Sequence, residues 1–338
     1  MMKRNQIIYL PFPVKGNRIN EYTQNMVNIL RQKYSIVANL AEPTNVMQML
    51  RTKAVFLNWV EDDLDSKTKI QIWLHRLFGA KVVWVFHNKY PHDSENNAKI
   101  AEDMKWLADQ SSIILLHAKS SKKFIPNCSK NYRKAVYVPH ILYDNIGDTE
   151  NLSEIQEKYG VEKTDFVFLI FGSIRPYKNI EMAIAAFNSM KCSDAKLVIA
   201  GMPKSQEYAN KLIEKAKLNP NIVLDFRFIP EKRLVSLIKM ADIVVIPYKD
   251  GSSLNSGVMI QAFSLGRTVI APDMCMTRDF MKQGFLYAYK NNLEKAMRNA
   301  MGNSKITNDE MGRRAQQYME KYHNSQTVGR ILINYLEK

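Results

Sequence analysis

The residues able to do chemistry in this chain gather in short polar loops that follow apolar runs. One such loop leads into DGSSLNSGVMIQAFSLGRTVIAPD, Asp250 to Asp273, which holds no acidic side chain between its end residues. A helix is expected to start there at Ser256 or Gly257. The first N–H groups of a helix lack intrahelical partners and lie at the positive end of its dipole. Ser256 and Gly257 can therefore hold an anion, with Ser253 adding a hydroxyl. A plain serine cap is the competing reading. A second loop, FGSIRPYKN, ends an apolar run at Gly172 and sets Arg175 and Lys178 ahead of a helix. Two cations beside a helix start make a diphosphate clamp, or else two solvated charges. A third loop, HNKYPHDSE, places His87, His92, Asp93 and Glu95 after KVVWVF. Histidine and aspartate suit removal of a proton from a hydroxyl nucleophile. An early loop, KGNRINEY, supplies Gly16, Asn17 and Arg18. The acidic run EDDLD, Glu61 to Asp65, reads as a solvated loop and no metal site is expected.

The elements that must position these loops recur along the chain. In the first half, IIYLPF, YSIVANL, AVFLNWV, KVVWVFHN, SIILLHA and AVYVPH read as strands, with helices over residues 20–33 and 66–78. A polar stretch, DNIGDTENLSEIQEKYGVEKTD, holds no strand and reads as a linker. The pattern then restarts, with strands at VFLIFGSI, AKLVIAG, IVLDFRFI, DIVVIPY, TVIAP and FLYAY, helices at NIEMAIAAFNSM, SQEYANKLIEKAK and EKRLVSLIKMA, one more from Ser256 or Gly257, and a helical tail from Glu310 to Glu337. Continuous apolar strands alternating with helices indicate parallel sheets covered on both faces. In such sheets ligands bind beyond the carboxyl ends of the strands. Two such units would leave a cleft between them as the natural site. The first strand is not followed by G-x-G-x-x-G, which argues against a nicotinamide dehydrogenase.

Bulk properties agree with a two-domain α/β protein. The chain has 338 residues, of which 46% are hydrophobic, and domains run to roughly 150 residues. No apolar run approaches the roughly 20 residues needed to span a bilayer, and the N-terminus does not read as a signal peptide. Three scattered cysteines without metal-like spacing fit a reducing cytoplasm. The net charge is +15, from 48 basic and 33 acidic residues, and the excess is shared between the halves. Such a body favours anionic partners. Lys119, Lys122, Lys123, Lys130, Arg133 and Lys134 lie in one segment with no acidic residue, interleaved with Phe124, Ile125 and Tyr132. That segment is either a solvated face or a surface for anionic lipid headgroups. No RNA-binding signature accompanies it, so nucleic acid is not an expected partner.

Taken in order, FGSIRPYKN, DIVVIPY, SSLNSGVMIQAF and SLGRTVIAP make the second half resemble the donor domain of GT-B glycosyltransferases, closest to the large family 4 (group 1) transferases. The resemblance covers most of Phe166 to Pro272. HNKYPH is similar to the His-Asn-x-x-Pro-His pattern of some bacterial members. The resemblance implies two facing Rossmann-like domains: an acceptor domain over 1–145, a linker over 146–165, a donor domain over 166–310, and a C-terminal helix over 311–338 packing back toward the first domain. It implies metal-independent sugar transfer from a UDP- or GDP-sugar to a glycan or lipid-linked acceptor, in bacterial surface polysaccharide synthesis. The enzyme would be cytoplasmic, or peripheral at the inner face of the membrane. Arg175, Lys178, Ser256 and Gly257 would hold the diphosphate. Ser253, Asn255 and Gln261 would face the donor sugar and ribose. His87 and Asp93 would be catalytic, and Gly16 and Asn17 would line the acceptor side. The family's paired glutamates fall on Ser253 and Gln261, and its usual arginine falls on Ser173, leaving Arg175 to replace it. These departures leave two rivals standing: a nucleotide-sugar 2-epimerase and a non-catalytic nucleotide- or glycan-binding subunit.

Overall fold

The computed structural model describes residues 4–11, 21–58, 64–89, 97–143, 149–249 and 253–338. The chain forms two compact units, Met1–Ile141 with Tyr322–Lys338, and Leu142–Lys321. The first unit runs β1 (Gln6–Leu10), α1 (Glu21–Arg31), β2 (Ser35–Val37), α2 (Val46–Arg51), β3 (Thr52–Leu57) and α3 (Ser66–Leu77). It continues with β4 (Lys81–Val85), α4 (Asn97–Gln110), β5 (Ile113–Leu116), α5 (Cys128–Asn131) and β6 (Ala135–Tyr137). These strands form one parallel sheet in the order β2-β1-β3-β4-β5-β6.

The second unit opens with α6 (Leu152–Lys158), β7 (Phe166–Phe171), α7 (Ile180–Met190), β8 (Ala195–Ala200) and α8 (Gln206–Ala216). Next come β9 (Ile222–Asp225), α9 (Glu231–Met240), β10 (Ile243–Val245), α10 (Gly257–Ser264) and β11 (Val269–Pro272). It closes with α11 (Cys275–Met281), β12 (Leu286–Tyr289), α12 (Leu293–Gly302) and α13 (Lys305–Tyr322), and α14 (Ser325–Glu337) returns to the first unit. Its sheet is parallel in the order β12-β11-β10-β7-β8-β9. Every residue of β7 is buried, as expected for a strand covered on both faces. Phe168, Phe187, Leu197, Ile243 and Met297 pack in the core beneath it.

The strand order reverses between β1 and β3 in the first sheet and between β7 and β10 in the second. Such switch points are where doubly wound sheets bind ligands. The FGSIRPYKN loop follows β7, and the Ser256 lead-in follows β10.

Two boundaries differ from the sequence expectation. The described part of the expected 146–165 linker, residues 149–165, belongs to the second unit and carries a helix. The second unit begins at Leu142, and α6 packs against α9, with the Tyr159 hydroxyl donating to Asp225 at 2.5 Å. The polar surface of α6 hides a single buried anchor, Ile155. The tail is not one helix: α13 ends at Tyr322, and Asn324 caps α14 by accepting from the Thr327 N–H at 2.8 Å. Within the first unit α14 packs on α1, and Gly329 leaves room for Ile29.

Candidate functional site

Local physics explains the first loop of the second unit. Gly172 ends β7 with φ at +91°, a region that favours glycine. At Gly201, after β8, an added Cβ would lie 2.0 Å from the Gly172 carbonyl oxygen, so the two strand ends touch backbone to backbone. The Ile174 N–H then donates to the Met202 carbonyl and the Ile174 carbonyl accepts from the Lys204 N–H, both at 2.9 Å, which holds the turn against the next strand's exit. The chain makes a single helical turn at Pro176–Lys178, and Asn179 takes φ of +52° to enter α7. This path turns Lys178 inward, where it is only 5% exposed. Its Nζ lies 5.9 Å from the centre of the Tyr248 ring and 3.3 Å from where a Gly172 Cβ would stand. Among the described residues it has no carboxylate partner. Burial first, then the neighbouring charge of Arg175, lower its ammonium to about 8. Arg175 is half-buried, and its Nε donates to the Ser173 hydroxyl at 3.1 Å.

The β10 loop is fastened to the first. The Lys249 N–H donates to the Tyr177 carbonyl at 3.1 Å, and the Tyr177 and Tyr248 rings meet edge to face at 5.8 Å. Ser256 caps α10, its hydroxyl accepting from the Met259 N–H at 3.2 Å. The same hydroxyl is hydrogen-bonded to Tyr248, whose phenol burial pushes up. The lead-in is pinned from behind, since the Met276 N–H donates to the Leu254 carbonyl at 3.2 Å. A Cβ on Gly257 would stand 2.9 Å from the Tyr143 hydroxyl, so the glycine lets a phenol close over the first turn. Lys178, Tyr248, Ser256 and Tyr143 thus surround the positive end of α10 with one cation and several hydroxyls. By composition and by dipole such an arrangement can hold an anion.

The other sequence-chosen residues of this loop are distributed around it. Ser253 is buried and donates to the Asn255 carbonyl, which makes it a turn residue. Asn255 is half-buried, and Gln261 is half-buried one turn along α10 from Gly257. A cavity of about 480 Å³ opens on the Asn179 and Tyr248 side, with Lys249, Arg278, Tyr289 and Lys290 in its wall. Tyr143, Tyr177 and Tyr248 carry no sequence signal beyond an aromatic placed after a strand.

In the first unit four adjacent strands each deliver a polar residue just past their carboxyl ends: Asn58 after β3, His87 after β4, His117 after β5 and His140 after β6. The half-buried His87 shares an Nε2···Oδ1 hydrogen bond with Asn58 at 2.9 Å. Asn58 is fully buried, and its Nδ2 donates to the Thr23 hydroxyl at 3.2 Å. The amide is thereby oriented, so the shared proton belongs to His87 Nε2 and the ring's lone pair to Nδ1. Tyr22 joins the group: its hydroxyl lies 2.7 Å from His117 Nε2, while His117 Nδ1 donates to the Val138 carbonyl at 2.9 Å. His323, from the segment before α14, donates through Nδ1 to the His140 carbonyl at 2.7 Å. Burial lowers His87 and His117 to about 3, His323 to about 4, and His140 well below its ordinary value. All are neutral imidazoles at neutral pH. Asn58, Tyr22, His117, His140 and His323 escaped the sequence reading because they are brought together across large chain separations. Asp93, with His92 and Glu95, and Gly16 with Asn17 lie outside the described residues.

The basic segment is partly spent on its own surroundings. The Lys134 ammonium donates to the carbonyls of Ala108 and Asp109 at the end of α4, at 3.2 and 2.9 Å, and Lys130 pairs with Asp109 at 3.1 Å. Lys119 lies over Tyr137 and Lys122 over Tyr132, at 5.0 and 3.6 Å from the ring centres.

Comparisons with known proteins converge on the second unit. The family model described as "Glycosyl transferases group 1" matches residues 152–321, half of the 338-residue chain. A GDP-mannose:glycolipid 4-beta-D-mannosyltransferase of Xanthomonas campestris pv. campestris is 26% identical over 136 residues, which are 39% of this chain and 38% of that protein. The chain thus matches well under half the length of this curated relative. Among solved structures, Anabaena HepE in complex with UDP has a TM-score of 0.73 at 12% identity, covering 99% of this chain and 100% of that one. A glycosyltransferase of Rickettsia africae has a TM-score of 0.66 at 13% identity, covering 99% and 98%. At these identities the likeness is one of fold, and that fold is GT-B. With the family model laid over the loops that carry Lys178 and Ser256, the chain belongs to the group 1 glycosyltransferases.

Proposed function

We propose that this protein transfers a sugar from a UDP- or GDP-sugar to a glycan or lipid-linked glycan. The observation that carries this reading is Lys178, a buried ammonium with no carboxylate partner among the described residues, beside the serine-capped start of α10. A buried cation without a counterion is costly, and a diphosphate would relieve that cost. Lys178, with Arg175 nearby, would grip the diphosphate, while the N–H groups of Gly257 and its neighbours take further oxygens. These donors would also stabilise the charge that grows on the leaving diphosphate. The transfer would need no metal. His87 would face the transferred sugar or the acceptor hydroxyl as a neutral ring with its lone pair on Nδ1. The acceptor named for the Xanthomonas relative is a glycolipid. Accordingly the basic residues Lys119, Lys122, Lys123, Lys130, Arg133 and Lys134 are assigned to an anionic membrane surface at the cytoplasmic face.

A thermal-shift titration with UDP, GDP and ADP tests the donor site. Stabilisation grows with ligand concentration over its dissociation constant, so UDP or GDP should raise the melting temperature, and Lys178→Ala should remove most of the rise. An equal rise in the variant, or none in the wild type with any of the three, would sink the assignment.

A further inference from the structure

The helix α3 is turned inside out. Its buried face carries Gln71, Ile72 and His75, while Ile70, Trp73 and Leu77 are 53%, 48% and 64% exposed. Positions 70, 73 and 77 fall on one side of a helix, so these three form a single outward stripe. The inversion is held in place and is no rotational accident. Gln71 Nε2 donates to the Ala41 carbonyl at 3.1 Å, and His75 Nε2 accepts from the Ala41 N–H at 3.1 Å. Asp65 caps the helix by accepting from the Thr68 N–H at 2.6 Å. Burial lowers His75 to about 4, which keeps it neutral in that role. The neighbouring helix α2 adds exposed Val46 and Met47.

The surroundings of the stripe are basic. Arg76 stands exposed on α3 itself, as does Lys67, whose ammonium pairs with Glu42 at 2.9 Å. Arg76 Nη1 donates to the Gln110 side chain at 2.7 Å, at the end of α4 where Lys130 and Lys134 also attach. Arg76 lies near enough to Lys134 to lower its ammonium further. Arg76, next to Leu77 at the end of α3, therefore links the stripe's helix to Lys130 and Lys134 of the basic segment at the end of α4.

We infer that the exposed face of α3 is an apolar anchor that inserts Ile70, Trp73 and Leu77 into the interface of an anionic bilayer, alongside the basic segment. Tryptophan and leucine on one face with lysine and arginine beside them is the composition of a helix lying in the headgroup boundary, and the positive rim matches the charge of that surface. This rests on the membrane reading given under Proposed function and adds to it the group that penetrates.

The test uses the full chain with vesicles of phosphatidylglycerol and phosphatidylcholine, some carrying brominated acyl chains. Trp73 should be quenched by bromine, and Trp73→Phe should lose that part of the quenching. The triple variant Ile70→Ser, Trp73→Ser, Leu77→Ser should sediment with anionic vesicles at least about tenfold more weakly. Its response to UDP or GDP in thermal shift should match the wild type, which shows the fold is intact. If the triple variant binds as well as the wild type and no bromine quenching occurs, the anchor is refuted while the basic surface stands. If the wild type ignores anionic vesicles, both fall. If light scattering shows a lipid-free dimer that the triple variant dissolves, the stripe is a contact between copies and the inference is overturned.

Discussion

Lys178 stands where a lysine loses most of its hydration, and its acid–base balance follows from that. The ordinary value of 10.5 falls to about 8 in the folded chain. Between those two pH values the folded protein binds fewer protons than the unfolded one, so this residue's contribution to stability rises with pH across the window. A bound diphosphate works the other way, because it favours the ammonium. Nucleotide affinity should therefore decline as pH rises through 8, and binding just above pH 8 should take up a proton. Calorimetry in two buffers of different ionisation enthalpy reads that proton directly. Lys178→Arg should abolish the uptake, since a guanidinium remains charged. A wild type that binds UDP or GDP without proton uptake would contradict the assignment. Lys178, Arg175 and Ser256 were legible in the sequence because a cation or a serine just before a helix has local meaning. Tyr248 was not, since its role as the bridge between Lys178 and Ser256 needs two loops separated by about seventy residues of chain.

At the scale of elements, the carboxyl edge of the first sheet is a row of neutral imidazoles. His87, His117, His140 and His323 share it, and His75 is buried on the inner face of α3. Each has a folded value below the ordinary 6.5. Unfolding frees these rings to take protons at any pH below about 6.5, so stability is present above that value and is lost as pH falls toward 4. The melting temperature should drop steeply between pH 6.5 and 4.5, and His117→Gln should flatten the slope even where it lowers the temperature itself. An unchanged slope would show that the array is not the source. The array itself was hidden from the sequence, where only His87 and His92 had neighbours that drew attention. The parallel strands that form the edge were legible, because their apolar runs are continuous. Helices α2, α4, α11 and α12 were passed over. In α4 the buried residues Ile100, Met104, Leu107 and Ala108 keep helical spacing, but charged neighbours dilute the signal.

At the scale of the molecule, the two units carry different kinds of information. The second holds the family match and the candidate anion site, and its motifs are local enough to be read in order along the chain. The first has no such run of motifs, and its chemistry emerges only when four strand ends line up. The linker expectation failed for a related reason: the surface of α6 is as polar as a linker, and only Ile155 and Tyr159 betray that it is packed. In the proposed reaction Lys178 grips the diphosphate of a sugar donor during transfer. Its most direct test is release of nucleoside diphosphate from UDP- and GDP-sugars, with and without a lipid-linked glycan extract, in buffer containing EDTA. Release should require the extract, survive EDTA, and fall at least about 100-fold in Lys178→Ala. Equal release by Lys178→Ala, or a free epimerised nucleotide sugar formed without any acceptor, would contradict the assignment.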